Sequence, residues 1–139
     1  MFDFTTQIRV RYADTDQMGF VYYGNYARYF EIGRVEALRS LGISYKALEE
    51  KGIMMPVLEN YSKYVKPALY DNLLSIRVMI KEIPGTRIRF DYEITNEEGI
   101  LIHLGYTVLV FISAENKRVI SFPAYIKEAI EVFFDKTVK

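Results

Sequence analysis

The chain has 139 residues, half of them hydrophobic, with 12 Tyr and 9 Phe but neither Trp nor Cys; this fits one domain around one core and excludes a disordered or collagen-like chain. Its 18 Lys and Arg balance 18 Asp and Glu, so the basic excess that drives general nucleic-acid binding is missing. Zero cysteine removes disulfides, thiolate metal sites and cysteine nucleophiles, and the single histidine, His103, argues against His-rich metal sites and most His-based triads.

Residues 4–13 mix β-branched and polar types (Thr5, Ile8, Val10, Tyr12) and predict a first strand. Asp14 to Gly19, DTDQMG, is turn chemistry carrying two carboxylates. The period then changes. Tyr26, Tyr29, Phe30, Gly33, Ala37, Leu38 and Leu41 fall on one helical stripe, with Glu31, Arg34, Glu36 and Arg39 on other faces. Gly42 supplies the stop, since glycine tolerates the left-handed conformation. At about 1.5 Å per residue, a helix over 24–41 is ~27 Å long, enough to cross a small sheet. Ser44 opens a shorter helix that closes near Gly52.

From Ile53 onward the period is two. Residues 57–66, 73–81 and 87–95 each alternate as half-buried antiparallel strands, with turns at Pro84-Gly85-Thr86 and Asn96–Gly99. Residues 100–112 are apolar on nearly both faces and predict a central strand, or one whose second face a partner covers. A short strand is expected over 117–121. Pro123 suits the first turn of a closing helix carrying Ile126, Ile130 and Phe133/Phe134. The order predicts an α+β layer fold, one long helix against an antiparallel sheet of about five strands, as a single domain over 1–139. Such a sheet leaves apolar surface over, so self-association is expected. Charges throughout the first residues argue against a secretory signal, and no apolar run approaches the ~20 residues of a membrane helix. The expected setting is the cytoplasm.

The stretch that carries chemistry is residues 11–34. An Asp-containing turn leads into Gly24-Asn25, where the long helix begins. The first amides of a helix lack internal partners and form the positive end of its dipole. Amides around Tyr23 and Gly24 can therefore donate to a carbonyl that becomes an oxyanion, and a carboxylate in a turn returning towards the helix can sit across it. That constellation suffices for acyl transfer. On spacing alone, the alternative is that Asp14 and Asp16 only stabilise a turn through nearby backbone amides.

The stretch Tyr12-x-Asp14-Thr15-Asp16-x-x-Gly19-x-Val21-Tyr22-x-x-x-Tyr26, with Tyr64-x-x-Pro67 and Tyr70-Asp71 further on, resembles hot-dog-fold acyl-CoA thioesterases of the 4-hydroxybenzoyl-CoA thioesterase type. The group includes thioesterases associated with the Tol–Pal envelope system. The resemblance runs from the first strand to the final helix. It implies a hot-dog fold, a sheet wrapped around the 24–41 helix, and hydrolysis of acyl-CoA to a carboxylic acid and coenzyme A. It places the catalytic aspartate at Asp16, as base or nucleophile, and the carbonyl-polarising amide at Tyr23, with Gly24 beside it. It also implies homodimers joined through a continuous sheet, or homotetramers built from them, with active sites at the subunit interface. No cofactor is expected, coenzyme A being part of the substrate. Two departures stand out: several members carry His where Tyr23 stands, and where some carry adjacent Arg residues for coenzyme A phosphates, this chain offers only Arg87.

Lys63, Lys66 and Arg87 are the candidate contacts for those phosphates. Asp14 is expected to shape the loop, His103 to be a satisfied structural histidine, and Glu31 to face solvent. Tyr61 and Tyr64 are expected to pack in the sheet, with room for one of them to border the pocket, and the stripe Tyr26, Tyr29, Phe30 to be ordinary core. No phosphate-binding glycine loop or metal site is recognisable. Two alternatives share the same fold: a thioesterase acting on acyl carrier protein, for which Lys63 and Lys66 are the only hint, and a non-catalytic domain that binds acyl groups or a protein.

Overall fold

The helical stripe becomes α1 (Asn25–Ser40), which buries Tyr26, Tyr29, Phe30, Gly33, Ala37 and Leu38. It stops as glycine chemistry dictates. Gly42 has φ +80°, its N–H donates to the Arg39 carbonyl at 2.9 Å, and the Ile43 N–H donates back to Leu38 at 3.0 Å, the Schellman arrangement. Ser44 then caps α2 (Tyr45–Glu50) by accepting from the Ala47 amide at 3.1 Å. The computed structural model describes residues 1–134, so the last five residues of the expected single domain lie outside the described part.

Among the described residues, five strands form one antiparallel sheet in the order β1-β4-β5-β6-β3: β1 (Phe2–Arg9), β3 (Val57–Tyr64), β4 (Leu73–Ile80), β5 (Arg87–Thr95) and β6 (Leu101–Val110). The inward sets Leu74, Ile76, Val78, Ile80 and Ile88, Phe90, Tyr92, Ile94 are all buried beneath α1. Register matches pattern, with Phe4 opposite Val78 and Ile76 opposite Ile94. Helix and sheet meet closely at Gly33, where an added Cβ would lie 2.7 Å from Ile76 Cγ2 and 2.9 Å from Val78 Cγ2. Gly105 does the same for β6, since a Cβ there would collide with the Tyr61 carbonyl and reach 3.0 Å from the Phe30 ring.

Several expectations are corrected. The first strand is Phe2–Arg9 rather than 4–13, because the chain leaves the sheet for a single 3-10 turn at Tyr12–Asp14. No strand spans 117–121; Val119 makes one isolated bridge to Ile112. Two short strands not foreseen, β2 (Ile53–Met54) and β7 (Ile112–Ser113), pair with each other. The closing helix α3 (Ala124–Glu131) follows Pro123 and buries Ile126 and Ile130, but ends before Phe133 and Phe134. Phe133 packs edge-on against Phe2 at 5.0 Å.

Two corrections concern burial. Arg34, placed off the apolar stripe, is nevertheless buried; it is 7% exposed and donates through Nε to the Tyr45 hydroxyl at 3.0 Å. Strand β3 is not half-buried, for every residue in it except Ser62 is exposed. It is the last strand of the sheet, and among the described residues it pairs only with β6. Its alternation reports a pleat, and an edge strand beyond the cover of α1 buries neither face.

Candidate active site

The Asp-rich turn is a tight hairpin docked against the start of α1. Thr15 and Val21 bridge, the Asp16 N–H donates to the Phe20 carbonyl at 2.8 Å, and the Gly19 N–H donates to the Asp16 carbonyl at 3.0 Å. Gly19 takes φ +81°, which a three-residue hairpin loop requires of its last member. One carboxylate oxygen of Asp16, Oδ1, accepts from the Met18 amide at 2.9 Å and the Phe20 amide at 3.3 Å. The other, Oδ2, has no hydrogen-bond partner among the described residues.

Asp14 fastens this hairpin to the helix. Its backbone carbonyl accepts from the Tyr22 amide at 2.9 Å and from Asn25 Nδ2 at 2.8 Å. Its buried carboxylate accepts from Tyr29 Oη at 2.9 Å, Arg28 Nη2 at 2.5 Å and the Arg11 amide at 3.1 Å. Burial, together with the hydrogen bond to this carboxylate, pushes the Tyr29 phenol well above its ordinary range. The expectation that Asp14 shapes the loop holds, and five donors show how.

The helix start itself is left open. Gly24 is the N-cap of α1 and no side chain caps it. The Asn25 amide donates to the Tyr22 carbonyl and the Tyr26 amide to Tyr23. The amides of Tyr23 and Gly24 have no acceptor among the described residues.

A cleft of about 310 Å³ joins these elements, lined by Asp16, Met18, Phe20, Tyr23, Tyr26, Tyr64 and Lys66, with Val21, Val65 and Pro67 completing its walls. The structure thus gathers Asp16, Tyr23 and Lys66, with Gly24 adjacent in sequence. It does not gather the other two candidates of one chain. Lys63 is exposed opposite Leu104 on β6. Arg87 lines a separate depression of about 270 Å³ at the β4–β5 turn, with Lys81, Glu82, Arg89 and Asp91. Glu31 is exposed, as expected.

The aromatic side chains divide between core, cleft and surface. Tyr26 belongs to the core, as its spacing predicts, and also lines the cleft; of the two tyrosines of β3 it is Tyr64 that borders the pocket, 53% exposed. Tyr61 stacks on Tyr106 at 5.5 Å on the sheet's outer surface. His103 forms the cleft's foundation, stacked on Tyr26 at 3.9 Å and edge-on to Tyr64 at 4.7 Å. Its Nε2 meets Ser62 Oγ at 2.9 Å, but its buried Nδ1 has no partner, so it is only half satisfied. Burial pulls its pKa down to about 4. The signal for Tyr26 was its place at the end of the Asp-to-Tyr motif; its helical spacing pointed to the core instead.

No group of side chains among the described residues is arranged to hold a metal ion, and no described helix is long and apolar enough to cross a membrane.

Comparison with known proteins adds four findings. The thioesterase-like superfamily matches residues 10–130. The acyl-CoA thioester hydrolase YbgC of Escherichia coli is 33% identical, over 77% of this chain and 80% of that protein. Among solved structures, the DHNA-CoA thioesterase of Staphylococcus aureus superposes with a TM-score of 0.84 at 36% identity, covering 87% of this chain and 81% of the other. A 1,4-dihydroxy-2-naphthoyl-CoA thioesterase from Synechocystis gives 0.86 at 25% identity, over 92% and 95% of the two chains.

Proposed function

The chain belongs to the thioesterase-like superfamily and has its hot-dog fold, and on that premise we propose that it hydrolyses acyl-CoA thioesters at the Asp16 cleft. One observation carries the reading: a carboxylate with a free oxygen and the unpartnered amide of Tyr23 belong to one aromatic cleft. The carbonyl oxygen of the thioester takes the Tyr23 and Gly24 amides, where the helix dipole favours developing negative charge. Asp16 Oδ2 then removes a proton from the attacking water, or itself attacks the carbonyl carbon to give an anhydride that water opens. Either route ends in a carboxylic acid and the free thiol of coenzyme A. Oδ1, held by two amides, keeps Oδ2 aimed.

Lys66 stands at the cleft and is the candidate contact for a coenzyme A phosphate from the same chain. Lys63 and Arg87 would serve from a second copy. Strand β3 supports such a copy: it is exposed on both faces, carries Val57, Leu58, Tyr61 and Tyr64 at its surface, and leaves its outer edge unpaired by the described residues. Pairing β3 to β3 would continue the sheet across two subunits beside the cleft. Light scattering on the purified protein tests this, with a dimer or tetramer expected and a monomer contradicting it. Loss of turnover in Asp16→Asn tests the chemistry.

A further inference from the structure

The least exposed polar group of the cleft has no role in the scheme above. Tyr26 is 3% exposed, and its ring is fixed on three sides by His103 at 3.9 Å, Tyr64 at 5.6 Å and Tyr29 at 5.9 Å. Its hydroxyl oxygen accepts from the Ala68 amide at 3.4 Å. Its own O–H has no acceptor among the described residues. A buried hydroxyl with an unspent proton calls for a partner, and this residue lines the cleft that Asp16 and Tyr23 line.

The position along the helix says which partner. Residue 26 follows residue 23 by three, so the two share a side of the helix start, and the Tyr26 amide donates to the Tyr23 carbonyl at 3.4 Å. Side chains on a first turn lean back towards the N-terminus. The Tyr26 side chain therefore leans to the same end of α1 as the free Tyr23 and Gly24 amides. Burial, with the Asp16 charge adding to it, raises the phenol's pKa and keeps it a neutral donor.

We propose that Tyr26 is a catalytic residue, its O–H donating a third hydrogen bond to the thioester carbonyl oxygen beside the Tyr23 and Gly24 amides; this rests on the thioester-hydrolase reading of the cleft. The phenol keeps its proton throughout. Its hydrogen bond shortens as the carbonyl becomes an oxyanion and relaxes as the thiolate leaves, so the effect falls on the transition state and not on binding.

The test is Tyr26→Phe, which keeps the stacked ring, compared with wild type and Asp16→Asn on acetyl-, palmitoyl- and benzoyl-CoA. On the best of these, kcat falls about 100-fold with KM within about threefold, as for loss of one oxyanion donor, while melting falls by only a few degrees as the Ala68 amide loses its acceptor, so the variant is still folded at the assay temperature. A second readout is the infrared carbonyl stretch of the matching acylmethyl-CoA ketone, which binds but cannot hydrolyse. It moves to higher wavenumber in Tyr26→Phe because the carbonyl is less polarised. A Tyr26→Phe enzyme within about threefold of wild-type kcat, or an unmoved carbonyl stretch, overturns the proposal while Asp16→Asn remains inactive. Wild-type turnover in Asp16→Asn removes the underlying reading, and the proposal with it.

Discussion

Replacing Asp14 with alanine probes the joint that sets Asp16 against the helix start. The carboxylate is 6% exposed and accepts three hydrogen bonds, from Tyr29 Oη, Arg28 Nη2 and the Arg11 amide. The three losses are unequal. Arg28 is 46% exposed and Arg11 is exposed, so water replaces their acceptor and each contributes about 0.5 kcal/mol. Tyr29 is wholly buried, and its hydroxyl loses a charged acceptor that water cannot replace, at about 2 kcal/mol. The sum is about 3 kcal/mol, read by equilibrium urea unfolding. Tyr29→Phe separates the contributions, since in the double variant no hydroxyl is orphaned. The coupling between the two sites is then about 1–2 kcal/mol. Asp14→Ala costing less than about 1 kcal/mol, or strict additivity with Tyr29→Phe, refutes the reasoning.

Acid should destabilise the fold through His103. Its folded pKa of about 4 lies below the ordinary 6.5, so between these values the unfolded chain binds a proton that the folded chain refuses. Stability contributed by its neutral form is present above pH ~6.5 and lost as pH falls towards 4, by about 3 kcal/mol. His103→Phe flattens that part of the pH–stability curve; parallel curves for the two proteins would count against the assignment. Gly33→Ala places a methyl against Ile76 and Val78, two branched side chains with no room to yield. It should cost about 1–3 kcal/mol by denaturant titration, and an unchanged midpoint would show that α1 does not sit this close to β4.

What was legible in the sequence followed from local rules. The 3.6 period from Tyr26 to Leu41, Gly42 after it and Ser44 as a cap define α1 and α2 within a residue or two. The period of two gave β4 and β5 because α1 covers one face of each. The same pattern misled in β3, whose burial depends on what lies across the sheet rather than on its own residues. Arg34 misled for a similar reason: its acceptor, Tyr45, comes from the next helix, which no single-helix pattern can foresee. In the cleft, the family motif pointed to Asp16 and Tyr23 and left Asp14 to shape the loop, whereas turn chemistry alone treated the two carboxylates alike. Tyr64, Lys66 and Pro67 reach the cleft from the end of β3 and beyond it, some forty residues later in the chain. Only the sheet order brings them there. Tyr26 carried two signals at once, a core spacing and a motif position, and it serves both.

The most direct measurement is release of free thiol from acetyl-, palmitoyl- and benzoyl-CoA by wild type and Asp16→Asn side by side. Wild type is expected to turn over at least one acyl-CoA, and kcat to fall at least ~100-fold in Asp16→Asn, the scale of a lost general base or nucleophile. Wild-type rates in Asp16→Asn, or no thiol released from any of the three by either protein, would contradict hydrolysis at the Asp16 cleft.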